Sequence, residues 1–416
     1  MIEFEIDNAT LSNTNARITV IGVGGAGCNT VNSMLKSGYD TVEFITVNTD
    51  AQALKKSHAP IKIQIGTKST KGLGAGANPD LGKKAAEEDL ELVLKAVEQA
   101  DIVFLTAGLG GGTGSGALPV IAKALKTQGV LTVTIVTKPF DFEGKKRAFV
   151  AEQALHALQK EIDTLLVIPN QKLLTLTDNS VSLMSAFDMV NTVINQSVRS
   201  IADIIVKPGH INVDFADVKA IMKNQGFALM GTGKAAGADR AQKAAKQAIA
   251  SPLLENVNIE GARSVLINIT SNANLGLHEL SAAAAVIYDQ AHEEATIIVG
   301  SVIDETYADE IAVTVIATGF AQPKTEIITE PATVSSPFAE KIYEKYEEVA
   351  PKAKVVIAEP AAPESVVAAP ALTAAPVQTS AYKPSVKEIP VNTAQSDLEI
   401  PTLLRKIQEK RAQQKN

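Results

Sequence analysis

The sequence predicts an α/β fold: a parallel sheet with helices on both faces, a long central helix, a second α+β unit, and a disordered C-terminal linker ending in a tail peptide. Three observations carry this expectation. Apolar runs over 18–23, 42–47, 102–106, 130–137 and 165–168 read as buried strands, and helical stretches separate them. Residues 183–206 hold neither Gly nor Pro and repeat apolar side chains at steps of three and four. All 27 glycines lie at or before Gly319, whereas 11 of the 18 prolines fall from Pro323 to Pro401.

Taken in order, residues 1–16 are polar and acidic, without a basic start followed by an apolar run, and read as a flexible N-terminus. No stretch of 18 consecutive apolar residues follows, so a soluble, cytoplasmic chain is expected. The first strand runs into a glycine loop, and the second ends at Asn48-Thr49-Asp50. Leu81, Leu90, Leu94 and Val97 predict one helix over 80–100. Phe187, Val190, Ile194, Val198, Ile201 and Ile205 predict a helix of about 36 Å, with Pro208-Gly209 as its stop. By periodicity alone Phe187 belongs to the core. Strands over 265–270, 296–303 and 311–318 and a helix over 281–290 make the second unit. Beyond it Ala, Pro, Val, Glu and Lys mix without lasting periodicity, the composition of a disordered linker.

Composition excludes several function classes. Cys28 is the one cysteine, so neither an intramolecular disulfide nor a cysteine-cluster metal site can form, and a reducing compartment fits. The net charge of −7 argues against a protein built to grip nucleic-acid phosphates.

Chemistry is concentrated in two glycine loops. Gly22-Val-Gly24-Gly-Ala-Gly27 matches G-x-G-x-x-G, in which backbone N–H groups at a helix N-terminus approach a phosphate. Alone it leaves a dinucleotide site and a plain tight turn both open, and Asn48 stands where a dinucleotide fold wants a ribose-binding acid. The second loop, from Gly108 to Gly116 (GLGGGTGSG), is six-ninths glycine, far beyond what a turn requires. Two cradles on one sheet imply a nucleotide with several phosphates. An NAD-dependent oxidoreductase leaves the second loop unexplained, and no Walker A motif offers a substitute.

The run GGGTGSG is the signature of the tubulin superfamily, and the chain closely resembles the FtsZ family of bacterial cell-division GTPases. The resemblance covers about 17–319 through GVGGAGCN, VNTDAQAL, TKGLGAGANP, GLGGGTGSGA, VTKPFDFEGKKR and NVDFADV. It implies a Rossmann-like GTP-binding domain over 17–182, a central helix over 183–207, an α+β activation domain over 208–319, a linker over 320–396 and a partner-binding tail over 397–416. GTP and GDP are the implied ligands, with Mg²⁺ held through the phosphates rather than by protein ligands and K⁺ admitted beside it.

Carried over by position, Gly24, Gly25, Ala26, Gly27, Cys28 and Asn29 would bind phosphate and ribose, with Asn48 beside the nucleotide. Gly74, Ala75, Gly76, Ala77 and Asn78 would sense the γ-phosphate, and Gly111, Gly112, Thr113, Gly114, Ser115 and Gly116 would wrap the α and β phosphates. Glu143 would accept from the ribose and Arg147 would reach the sugar or base; alone they read as a solvated pair. Phe187 would stack on guanine and Asn191, where the family often has Asp, would read its polar edge.

Asn212, Asp214 and Asp217 open a helix after the Pro-Gly stop, and two carboxylates three apart share one face. The same pattern is an ordinary N-terminal cap. The resemblance implies that all three act on the nucleotide of the neighbouring subunit, so that head-to-tail self-assembly completes the site. It also implies filaments forming a mid-cell ring, without nucleic acid and with only indirect membrane contact. A filament protein that holds GTP structurally is the alternative, disfavoured because both aspartates are present.

In the tail, Leu398, Ile400, Pro401, Leu403, Leu404, Arg405 and Lys406 resemble the family's docking peptide for membrane-tethering and regulatory division proteins. Residues 402–416 carry a net +4, a source of weak attraction to anionic lipid. Deleting 397–416 should therefore leave GTP hydrolysis and assembly intact while abolishing pull-down of tethering partners; loss of assembly would place the tail in the filament instead.

Overall fold

The computed structural model describes residues 16–174, 181–254 and 261–320. Residues 1–15 of the expected N-terminus, the linker beyond residue 320 and the tail with Leu398, Ile400, Pro401, Leu403, Leu404, Arg405 and Lys406 lie outside the described residues.

The first half alternates strand and helix. It runs β1 (Ile18–Val23), α1 (Gly24–Lys36), β2 (Glu43–Asn48), α2 (Ala51–Lys56), β3 (Ile61–Gln64), α3 (Thr67–Thr70), α4 (Pro79–Glu88) and α5 (Leu90–Ala96). Then follow β4 (Ile102–Gly108), α6 (Gly112–Thr127), β5 (Leu131–Lys138), α7 (Lys145–Gln159), β6 (Thr164–Pro169) and α8 (Asn170–Leu174). β1 lies between β2 and β4, Val20 pairing with Phe44 and with Phe104, and all six of its residues are buried because both faces of the sheet are covered: Ile18 and Val20 belong to one apolar cluster, Ile21 and Val23 to another. The strand order is β3-β2-β1-β4-β5-β6, every pair parallel. This order reverses direction between β1 and β4, and open α/β sheets bind ligands at such a point, beyond the carboxyl ends of the strands.

The single helix expected over 80–100 is two. The break falls at Asp89 (φ −123°, ψ 23°), whose carboxylate accepts the Gly66 amide at 2.7 Å, while that of Glu88 accepts the Lys68 amide at 2.7 Å. These two side chains satisfy the unpaired donors that open α3. The amide of Lys68, foremost, holds the Glu88 carboxyl below its usual range.

The long helix is α9 (Leu183–Val206), with the bounds the sequence predicts. The Ser182 hydroxyl accepts the Ser185 amide at its start. Its buried stripe begins at Ala186 and continues through Val190, Ile194, Val198 and Ile201; Leu183, Met184 and Phe187 in the first turns stay exposed. Beyond it come α10 (Phe215–Met222), β7 (Gly226–Ala236), α11 (Arg240–Ile249), β8 (Ser264–Ser271), α12 (Leu277–Tyr288), β9 (Thr296–Ile303) and β10 (Glu310–Thr318).

The second unit is not hung on α9 alone. Among the described residues its strands extend the first sheet, β7 beside β6, giving one ten-stranded sheet that closes β6-β7-β10-β8-β9. The β7–β10 and β10–β8 pairs are antiparallel. One apolar cluster includes Val20, Phe104, Ile201, Met230 and Ile316 and so spans both halves, with α9 inside it. No helix among the described residues is long and apolar enough to cross a membrane.

A buried polar bond fixes α9 against the first half. Tyr39, in the turn before β2, donates its hydroxyl to Asp203 at 2.9 Å, and the Arg199 guanidinium sits 4.5 Å above its ring. Burial and then the Asp203 charge push the Tyr39 hydroxyl above its ordinary range. Asp203 also pairs with Lys207 at 2.9 Å. Removing the donor leaves a buried carboxylate oxygen without one partner, so Tyr39→Phe should cost about 1–2 kcal/mol. A urea midpoint equal to that of the parent would show that this bond contributes nothing net.

Candidate functional site

A cavity of about 360 Å³ opens at the switch point between β1 and β4. Gly24, Gly25 and Ala26, directly after β1, form one wall, and Gly111, Gly112, Thr113 and Gly114, directly after β4, form another. Both are first turns of helices, α1 and α6, whose leading amides have no intrahelical acceptor. Two helix N-termini thus converge on one space, the arrangement that favours an anion.

Two glycine positions show why side chains are missing here. Gly24 begins α1 at φ +73°, a conformation that costs other residues strain, and a Cβ there would lie 3.0 Å from the Gly114 amide nitrogen. Gly112 donates its amide to Gly76 O at 2.9 Å, and a Cβ on it would lie 2.6 Å from that oxygen. The segment 74–78 is therefore pressed against the start of α6 backbone to backbone.

The opposite side of the cavity suits a flat apolar ring with a polar rim. Phe187, Val190, Asn191 and Ile194 of α9 face Leu109, Thr137 and Pro139 across it. Phe187 is 38% exposed and is held edge-on by the buried Phe140, ring centroids 5.3 Å apart. Asn191 and Thr30 are 3.1 Å apart through Oδ1 and Oγ1. Asn29, Glu143 and Arg147 also line it, and the two charges pair with each other. The other Glu143 oxygen accepts the Phe140 amide at 3.0 Å, which fixes the carboxylate at the start of α7.

Several residues singled out by the sequence lie elsewhere. Cys28 is buried and receives a long contact of 3.7 Å from the Asn48 amide, whose Oδ1 accepts the Asp50 amide; neither side chain lines the cavity. Burial raises the Cys28 thiol to about 11. Gly27 packs α1 on β4, since a Cβ would lie 2.5 Å from Thr106 O. Of the segment 74–78, Gly76 lines the cavity; Gly74, Ala75, Ala77 and Asn78 do not, and Asn78 caps α4 by accepting the Asp80 amide at 3.0 Å. The Ser115 hydroxyl accepts the Gly110 amide at 2.9 Å and stiffens the loop. Gly116 lets α6 lie on α4, with Pro79 O where a Cβ would be. Ser115 and Gly116 border a separate surface groove of about 630 Å³ between α4, α6 and α7.

The structure adds residues that the sequence reading missed. Thr30, Leu109, Thr137, Pro139 and Asn170 all line the cavity. Asn170 is 4% exposed, and its Oδ1 has no hydrogen-bond partner among the described residues, which leaves a buried acceptor on the cavity wall. Its signal was its place directly after β6, at the carboxyl edge of the sheet.

The carboxylate loop is remote. Asp214 caps α10 by accepting the Asp217 amide at 2.8 Å, and Asn212 accepts the Gly209 amide at 2.9 Å. From Phe187 to the end of α9 at Val206 the helix advances about 28 Å. Asn212, Asp214 and Asp217 follow that far end, and none of them lines the cavity.

Residues 17–178 match the Tubulin/FtsZ family, GTPase domain, and residues 226–321 match the FtsZ family, C-terminal domain. An M. jannaschii FtsZ structure, an empty dimer, is 43% identical with a TM-score of 0.71, covering 74% of this chain and 90% of that one. A second M. jannaschii FtsZ structure, of a mutant, has the same identity and TM-score and is covered over 92% of its length. CetZ1 from Haloferax volcanii, a GDP-bound monomer, shares the fold at 23% identity and a TM-score of 0.64, covering 74% of this chain and 95% of that one. The chain belongs to the tubulin/FtsZ family and is a GTPase.

Proposed function

We propose that this chain binds GTP in the 360 Å³ cavity, polymerises head to tail, and hydrolyses GTP to GDP and phosphate in a site that the loop 212–217 of the next subunit completes. The observation that carries the reading is the distance just described. A carboxylate at the far end of a rigid 24-residue helix has no route to the cavity of its own chain. It can serve the cavity of another copy stacked along the same axis. Such a contact joins two different faces and propagates rather than closes. Self-association is supported by relatives solved as an M. jannaschii FtsZ dimer and a Haloferax volcanii CetZ2 protofilament with GTPγS.

Within the cavity each group has a part. The amides at the starts of α1 and α6 would hold the phosphates, Gly76 would meet the γ end, and Thr113 is kept in place by Thr49, hydroxyl to hydroxyl at 2.7 Å. Glu143 would accept from the ribose, Arg147 would lie along the sugar or base, and Phe187 would cover the guanine face. Asn191 and Asn170, whose Oδ1 has no partner among the described residues, would meet the polar edge of the base. At the phosphate end the lining is glycine, Ala26 and Thr113, a donor set for anions. A Mg²⁺ ion there would take its oxygen ligands from the nucleotide and offset phosphate charge, and K⁺ could join it. Asp214 and Asp217 would orient the attacking water, which is most of what phosphoryl transfer asks of a protein.

At the cellular level, the proposal is a cytoplasmic filament protein of the mid-cell division ring that recruits other division proteins through its tail. The test is hydrolysis rate against protein concentration, with light scattering on the same samples. Activity should stay near zero and then rise together with assembly; a specific activity flat to the lowest concentration would mean a complete site in one chain. Asp214→Ala should bind GTP normally yet turn it over about a hundredfold more slowly, and unchanged turnover would remove Asp214 from the mechanism.

A further inference from the structure

Strand β9 ends the sheet and pairs with β8 alone among the strands. The second half of its free edge is taken by the loop that leads from α9 to Asp214. Ile303 donates its amide to Pro208 O at 3.3 Å, and Ser301 donates its amide to Ile211 O at 3.0 Å. In an ordinary ladder the Ile211 amide would return to the Ser301 carbonyl. It goes to the Ser301 hydroxyl instead, at 2.9 Å.

Gly209 supplies the reason. A Cβ on Gly209 would stand 1.6 Å from Ser301 O, so the loop backbone already lies against that carbonyl. One residue earlier, a Cβ on Gly300 would meet Ile204 Cδ1 at 2.3 Å and Val213 Cγ2 at 2.7 Å. Its absence lets Val213 sink to 4% exposure directly before Asp214. Asn212 closes the turn by accepting the Gly209 amide. Ser301 is itself 2% exposed, lies outside the nucleotide cavity, and serves the loop through both its amide and its hydroxyl.

We propose that Ser301 is a positioning residue for the carboxylate loop: its hydroxyl stands in for a strand carbonyl, holds residues 208–213 on the edge of β9, and so sets the direction in which Asp214 and Asp217 are presented to the next subunit. The inference rests on the reading that those carboxylates act across the interface. Without the hydroxyl, the Ile211 amide loses its acceptor and the loop keeps only the bonds donated by the Ser301 and Ile303 amides to hold it on the strand edge. Small displacements of a group that must place water in line are expensive in rate.

The experiment compares full-length parent, Ser301→Ala and Ser301→Thr in preassembled filaments at saturating GTP, together with amide hydrogen exchange at Ile211 and GDP affinity. Ser301→Ala should lower kcat about ten- to a hundredfold, speed exchange at Ile211 and leave GDP affinity unchanged. Ser301→Thr, which keeps the acceptor oxygen, should recover most of the rate. In an Asp214→Ala/Asp217→Ala background Ser301→Ala should add nothing further, because the loop then presents no carboxylate for it to aim. Parental kcat in Ser301→Ala, or a slow Ser301→Ala whose Ile211 stays protected, overturns the proposal. If Asp214→Ala alone hydrolyses at the parental rate, the cross-subunit reading has failed rather than the clamp. Should Ser301→Ala not fold, Gly209→Ala pushes the loop off the same carbonyl and must give the same slow turnover with nucleotide binding retained; normal turnover there also overturns the proposal.

Discussion

The rigid span of α9 is the constraint on which the rest depends. Its first turns carry Phe187 and Asn191 into the cavity, and its last residue precedes the loop that presents Asp214. In between, Val198, Ile201 and Ala202 are embedded in a cluster that includes strands of both halves. The helix therefore cannot bend to bring its two ends together without opening that core, and interiors are packed too closely to yield in that way. The Tyr39–Asp203 bond adds a polar fix on the first half, and the Ser200 hydroxyl, 3.1 Å from that of Thr314, adds one on the second. On the proposed reading, dependence of hydrolysis on assembly follows from this length alone.

Glycine does two different things around the cavity. At Gly24 and Gly111 the absent side chain leaves amides open to an anion. At Gly27, Gly112 and Gly116 it lets one backbone lie on another: α1 on β4, the segment 74–78 on α6, and α6 on α4. The second use makes the first possible. Because α4 and the segment before it are locked to the start of α6, the amides there hold their directions before any nucleotide arrives, and preorganised donors lose little on binding.

How much of this was legible in the sequence follows from how local each cause is. Fully buried strands such as β1 and β4 announce themselves by unbroken apolar runs, and α9 by 24 residues free of Gly and Pro with Pro-Gly after them. Strand β7 was missed because Gly226, Gly231 and Gly233 mask its alternation. Two of those glycines are there for contact with α11, whose carbonyls at Ala244 and Ala248 occupy the space of a Cβ. The break at Asp89 was invisible because its cause lies at Gly66 and Lys68, distant in sequence and close in space. In the site, motif spacing located both glycine loops, while Glu143 and Arg147, which also line the cavity, came from the family resemblance and read alone as a solvated pair. Spacing could not separate glycines that face the cavity from glycines that pack helices, nor foresee that Asn48 would be spent on Cys28 and its own turn. Asn170, a lone asparagine after a strand, belongs to no motif, and only the sheet's topology marks its position.

The capping role of Asp214 and its proposed chemical role are compatible, and the geometry suggests that the first serves the second. The cap uses Oδ1, fixing the side-chain torsion through the Asp217 amide and leaving Oδ2 without that duty. Asn212 uses its Oδ1 within the loop, where it closes the turn on the Gly209 amide. Behind both stands the edge of β9, gripping the loop by main-chain and hydroxyl bonds at Ser301. A carboxylate on a loose loop would have to be ordered each time a subunit docks, and that entropy would weaken both the contact and the rate. Here the ordering is done during folding, at the one free strand edge that lies beside the end of α9. On the proposed reading, adding a subunit then has only to bring two prepared surfaces together, the glycine-lined cavity of one chain and the carboxylate loop of the next.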